Sequence, residues 1–142
     1  MGNDQYNYSF FDHTADIGIK AQGKTIAELF VAMARGLTEL IAEESALEAK
    51  QTRLIELSAE STESLLLAWL KELLFWFSSD GFLPVRYELD AVTPTTLRGR
   101  IIGDTFDPAR HVQGREVKAV TRHQLRVEQK QHLWHGQVIV DI

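Results

Sequence analysis

Ile17, Ile19 and Ala21 alternate with Gly18 and Lys20, the two-residue period of a strand with one buried face. Gly23 breaks that run. Thr25, followed three residues later by Glu28, has the form of a capping box, in which the hydroxyl and the carboxylate satisfy backbone donors reciprocally. Beyond it Ile26, Leu29, Phe30, Met33, Leu37, Leu40 and Ile41 share one helical face, which predicts a helix as far as Ile41. Arg53 to Leu57 is a short strand candidate. Ser61 or Thr62 can cap a second helix, with Glu60 and Glu63 near its positive end. The body of that helix, Leu65 to Phe77, is apolar nearly all round. Such a helix is either enclosed in the core or shows a spare face to a partner. Trp69, Phe75 and Trp76 favour the core, because large aromatics bury large areas there. Ser78, Ser79, Asp80 and Gly81 stop the helix, and Pro84 is a further barrier.

The remainder reads as strands: Val85 to Val92, Thr96 to Ile102, Glu116 to Thr121, Gln124 to Gln129 and Leu133 to Val140. A turn is expected around Lys130 to His132. A loop between Gly103 and Gly114 carries Asp104, Asp107, Pro108, Arg110 and His111. Helices early and strands late predict an α+β fold, an antiparallel or mixed sheet with two helices packed on one face. No repeat or linker divides the chain, so residues 1–142 are read as one domain.

Composition narrows the function classes. The chain has no cysteine, which removes disulfides and thiolate metal sites and fits a reducing cytoplasm. Residues Met1 to Ser9 lack the basic region and apolar core of a secretory signal. The stretch from Leu65 to Phe77 is too short to span a bilayer and holds Lys71 and Glu72. No membrane association is therefore expected. The net charge is -5, and Arg98, Arg100, Arg110, Arg115 and Lys118 are interspersed with Asp104, Asp107 and Glu116. Strong direct nucleic-acid binding normally uses an uninterrupted basic stripe, so a protein partner or a cation is the better expectation.

No phosphate-binding loop, dinucleotide fingerprint, Ser-His-Asp signature or metalloprotease helix motif occurs. His132 and His135 have a spacing seen in zinc pairs, but the strand period sends them to opposite faces. Two acidic positions hold more promise. Asp16 opens the first strand, and Asp141 stands next to the final residue, Ile142, whose α-carboxylate would be held close to the last strand. If the two ends meet, the donors are all oxygen, which suits a hard divalent cation: calcium, manganese or magnesium. On the residues alone a second reading stands beside this one, in which Asp141 ends a strand and Asp16 caps a turn.

Three segments carry a wider resemblance. His13-Thr14-Ala15-Asp16-Ile17-Gly18, Glu116-Val117-Lys118-Ala119-Val120-Thr121 followed by His123, and Val140-Asp141-Ile142 resemble, in order and spacing, the signatures of the archease family. The Asp104 to His111 loop also sits where that family carries an acidic and basic loop. Arg122 stands where the family often has tyrosine. The resemblance implies a non-catalytic accessory protein of the RtcB-type RNA ligase in tRNA splicing and RNA repair, promoting guanylylation of the ligase and its multiple turnover. It maps a metal site to Asp16, Asp141 and Ile142, and Asp12, His13 and His123 are candidate supports around it. Two other classes remain beside it. One is a chaperone or adaptor for tRNA-modifying enzymes, for which the apolar second helix would be the interface. The other is a metal-dependent hydrolase using the paired carboxylates.

Overall fold

A computed structural model describes residues 7–13, 15–43 and 46–142. Its elements are β1 (Tyr8–His13), β2 (Asp16–Gly23), α1 (Ile26–Ile41), β3 (Gln51–Ser58), α2 (Thr62–Asp80), β4 (Phe82–Val92), β5 (Thr96–Thr105), β6 (Ala119–Lys130) and β7 (Leu133–Asp141). The α+β class holds. All strand pairs are antiparallel and are divided between two sheets, one ordered β1-β2-β7-β6 and the other β3-β5-β4. Each helix packs against strands of both sheets.

The helix ends follow from their caps. The Glu28 N–H donates to Thr25 Oγ1 (3.0 Å), while the Glu28 carboxylate accepts from the N–H of Lys24 (2.9 Å). The box is therefore closed one residue earlier than the usual reciprocal pattern. Ser61 caps α2 by accepting from the Ser64 N–H, and Gly81 ends it in the left-handed conformation, φ 81°, where a side chain would be strained.

The apolar α2 is a core helix. Trp69 is fully buried, its indole Nε1–H donating to the Phe30 carbonyl at 2.9 Å, and Trp76 is buried edge-on against Phe82. Phe75 alone of the three aromatics points outward. Burial of both tryptophans reduces the aromatic surface of α2 to Phe75, less than an adaptor helix would need.

Two strand expectations change. Residues 8–13 form an edge strand that the polar beginning of the chain did not announce. The two expected strands, Glu116 to Thr121 and Gln124 to Gln129, merge into a single strand, β6, that begins only at Ala119 and leaves Glu116 to Lys118 ahead of it. Its halves are separated by a bulge in which residues 122–125 oppose Val138 alone, with Gln124 at φ 55°. The β6–β7 connection is a two-residue turn in which Gln131 and His132 both have positive φ, as a right-twisted hairpin requires. Pro84 lies inside β4, tolerated because β4 is an edge strand and its register shifts beside that residue.

Candidate functional site

The four-stranded sheet turns Ile17, Ile19, Val138 and Val140 into the core. Alternation sends their neighbours to the opposite face. On that outer face the register runs straight across three strands: Asp16 pairs with Asp141, and Asp141 pairs with Ala119. The three segments that carried the family resemblance thus meet at one end of one sheet. Asp16 and Asp141 are half-buried cross-strand neighbours, a placement that sets Cβ atoms roughly 5 Å apart.

Two contacts hold Asp141 and Ile142 at this spot. The Lys118 N–H donates to the Asp141 carbonyl at 2.7 Å, and the Ile142 side chain packs against the core. Glu116 to Lys118 therefore serve as an approach segment to β6, bonded to Asp141 at its last residue.

Two like charges in directly opposed positions of a sheet repel each other. A cation between them reverses the sign of that interaction. Carboxylate oxygens suit calcium, manganese or magnesium and are a poor set for a soft metal. Among the described residues no three His, Cys, Asp or Glu side chains converge on a metal-sized site. Among the described residues Asp16 and Asp141 supply the two side-chain carboxylates at this end, and main-chain oxygens beside them are further donors of the same hard class.

The expected supporting groups are placed differently from one another. Asp12 pairs with Ile17, on the face opposite to Asp16, and is exposed. It is not a support for the acidic pair, because strand alternation turns it away. His123 is exposed in the β6 bulge, its N–H donating to Thr121 Oγ1 at 3.3 Å. His13 pairs with Asp16 along the main chain; its side chain, and Thr14 of the first motif, lie outside the described residues. His132 occupies the hairpin turn and His135 lies within β7.

One feature between the acidic pair and the rest of the face escaped the sequence reading. The Phe11 ring lies flat over Gly18, so close that a Cβ at Gly18 would stand 2.0 Å from the ring. Phe11, Gly18 and fully buried Ile139 occupy adjacent strands on the outer face, forming an apolar band directly behind the carboxylates. The glycine in the first motif was the available signal, since a glycine in mid-strand often marks close approach by another group.

The acidic and basic loop forms a separate, structural cluster. Asp104 belongs to β5 and is buried. Its carboxylate accepts from the N–H groups of Glu48 (2.9 Å) and Thr105 (2.8 Å), with Arg110 Nη2 at 3.6 Å. Burial alone would raise its pKa, but the two N–H groups and the guanidinium outweigh it and hold the carboxyl below its ordinary value. His111 is buried beside it. Nδ1 accepts from the Asp107 N–H at 2.8 Å, so the ring proton resides on Nε2, which faces Asp104 Oδ2 at 3.3 Å. This constellation fastens the loop to the end of β5.

Among the described residues no helix is long and apolar enough to cross a membrane. The sequence profile of the archease protein family (MTH1598/TM1083) matches residues 8–142. A protein archease of Sulfurisphaera tokodaii is 33% identical over 136 residues, covering 95% of this chain and 98% of the relative. One of Pyrococcus furiosus is 34% identical over 139 residues, with the same shares covered. The solution structure of Methanobacterium thermoautotrophicum protein 1598 superposes with a TM-score of 0.82 at 31% identity, covering 96% of this chain and 99% of that one. The crystal structure of an archease from Thermotoga maritima, described as a possible chaperone, shares the fold at 21% identity and a TM-score of 0.66, covering 93% of this chain and 94% of that one. Matched along nearly its whole length by the profile and by relatives one-third identical to it, the chain belongs to the archease family.

Proposed function

We propose that this protein is a non-catalytic activator of an RtcB-type RNA ligase. In this reading it binds a divalent cation through Asp16, Asp141 and the α-carboxylate of Ile142, and promotes guanylylation and repeated turnover of the ligase in tRNA splicing and RNA repair. The observation that carries the reading is the pairing of Asp16 with Asp141 at the end of β2 and β7. The bound ion would supply positive charge at a half-buried sheet end, neutralising the acidic pair. The protein's own residues do the positioning. β2 and β7 set the carboxylates opposite each other, the Lys118 N–H holds the Asp141 main chain, and the Ile142 side chain anchors the terminus.

An activator of this kind works only by preferring one state of the ligase over another, since equal affinity for both shifts nothing. The acidic pair lies at the end of a hydrogen-bonded sheet, a position from which it could meet a partner's metal- and GTP-binding centre. The possible-chaperone description of the Thermotoga relative belongs to the same accessory class. The buried state of Trp69 and Trp76 weighs against α2 as a general client surface.

The decisive measurement is single-turnover guanylylation of a matched ligase with GTP across a manganese titration, with wild-type protein, Asp16→Ala or Asp141→Ala. Both variants should remain folded and lose stimulation. Undiminished stimulation by both would refute the carboxylate role. Label transfer from GTP in the absence of ligase would favour the hydrolase or transferase class instead.

A further inference from the structure

Farther along the same outer face, the register sets Lys20 opposite Gln137 and Gln137 opposite Arg126. The row is cation, amide, cation. It floors an open cavity of about 570 Å³ that is also lined by Gln22, Glu128, Lys130 and His135. Three cations against one carboxylate leave this cavity with two positive charges, on a protein whose net charge is -5.

Elsewhere on the protein at least four arginines meet carboxylates, among them Arg100 with Glu88 at 2.7 Å and Arg110 with Asp104 and Asp107. Lys130 is within 3.4 Å of Glu128. Lys20 and Arg126 form no ion pair among the described residues. The Lys20 ammonium lies 5.2 Å from the Phe11 ring centre, and an Arg126 Nη2–H donates to Gln137 Oε1 over 3.4 Å. The Gln137 amide is fixed in turn by donating to the Gln124 carbonyl at 3.0 Å, the residue whose left-handed backbone shapes the β6 bulge.

We infer that this cavity is a binding site for a ligand carrying adjacent phosphate groups. Lys20 and Arg126 stand two strand spacings apart, roughly 10 Å, and both are long enough to reach inward or to hold neighbouring phosphates. An arginine fork and an ammonium are the usual pair for that chemistry, and the volume falls in the range of small-molecule sites. The phosphates come either from a free nucleotide or oligophosphate, or from the backbone of a single strand. The site is distinct from the Asp16–Asp141 end and its test needs no ligase.

The experiment is an amide NMR titration of the labelled protein, at constant ionic strength, with inorganic tripolyphosphate in one arm and a short single-stranded RNA in the other. Saturable shifts should centre on Lys20, Arg126, His135 and Gln137. The double variant Lys20→Met/Arg126→Met should lose at least about tenfold in affinity, the scale of one charge-assisted contact. Lys71→Met, the single-charge control for Lys20→Met on exposed α2 surface, should lose nothing. Tighter binding of tripolyphosphate assigns a free phosphate ligand, and tighter binding of RNA assigns a strand backbone. Absence of saturable shifts in both arms, or an equal loss in Lys71→Met, overturns the site. Thermal melts establish that each variant is folded, and Lys20→Met alone serves if the double variant is not.

Discussion

Asp141→Asn should make the protein more stable without divalent metal and less stable with it. Asp16 and Asp141 are directly opposed and half-buried. With the charges taken to be as far apart as the Cβ atoms, roughly 5 Å, they repel by about 0.8 kcal/mol in a water-like dielectric and about 3 kcal/mol at an effective value of 20. Opposed like charges in sheets fall towards the lower figure, about 0.5–1 kcal/mol. The unfolding entropy of a chain of 142 residues is about 0.3 kcal/mol per degree, so neutralising one partner should raise Tm by about 2–3 °C in chelator. Metal reverses the order. A cation present at about a hundredfold over its Kd stabilises the native protein by about 2.7 kcal/mol, or about 9 °C, and the variant should lose most of that gain. Differential scanning calorimetry in chelator and in calcium, manganese and magnesium checks both halves. The reasoning fails if the variant is no more stable than wild type in chelator. It also fails if metal raises the two melting temperatures equally.

Two further substitutions probe the frame around the site. Asp104→Asn should destabilise the protein by about 2–3 kcal/mol, because it removes a buried carboxylate that two N–H groups and Arg110 surround. The folded-state pKa of Asp104 is depressed, so its stabilisation is fully present above the unfolded value of about 3.9 and is lost as pH falls through the lower, folded value. Urea unfolding at pH values on either side of that window should show a shallower acid limb in the variant; an unchanged limb would assign the acid sensitivity to other carboxylates. Gly18→Ala should cost about 1–3 kcal/mol, the range for overpacking, since its Cβ would meet the Phe11 ring at 2.0 Å. In a Phe11→Ala background the same change should be nearly free, and an equal cost in both backgrounds would show that the ring is not what excludes the methyl group.

Much of the local structure was written in short-range patterns. Thr25 and Ser61 mark helix starts, Gly81 marks a stop, and the alternation of Ile17, Ile19 and Ala21 marks β2. These signals work because capping and face alternation involve residues only a few positions apart. β1 was hidden because it is apolar on both sides: Tyr8 and Phe10 alternate with Ser9, but Phe11 faces outward to cover Gly18. Its reason to be a strand is the edge of β2, which no window of residues 8–13 contains. The bulge in β6 was hidden for a similar reason, since only pairing with β7 shows that residues 122–125 face one residue.

For the candidate site the division is sharper. The sequence by itself determined which residue types are present, and motif resemblance singled out Asp16, Asp141 and Ile142 among twenty acidic side chains and one chain end. Whether the two aspartates ever meet was decided by tertiary structure alone. Strand register is set by the burial of Ile17, Ile19, Val138 and Val140 against the helices, and a slip of one residue would turn one carboxylate into the core face. The same register created the Lys20–Gln137–Arg126 row, whose members are scattered through the chain and share no local pattern. Packing energy chose the register, and both clusters of polar side chains on the outer face are its consequence.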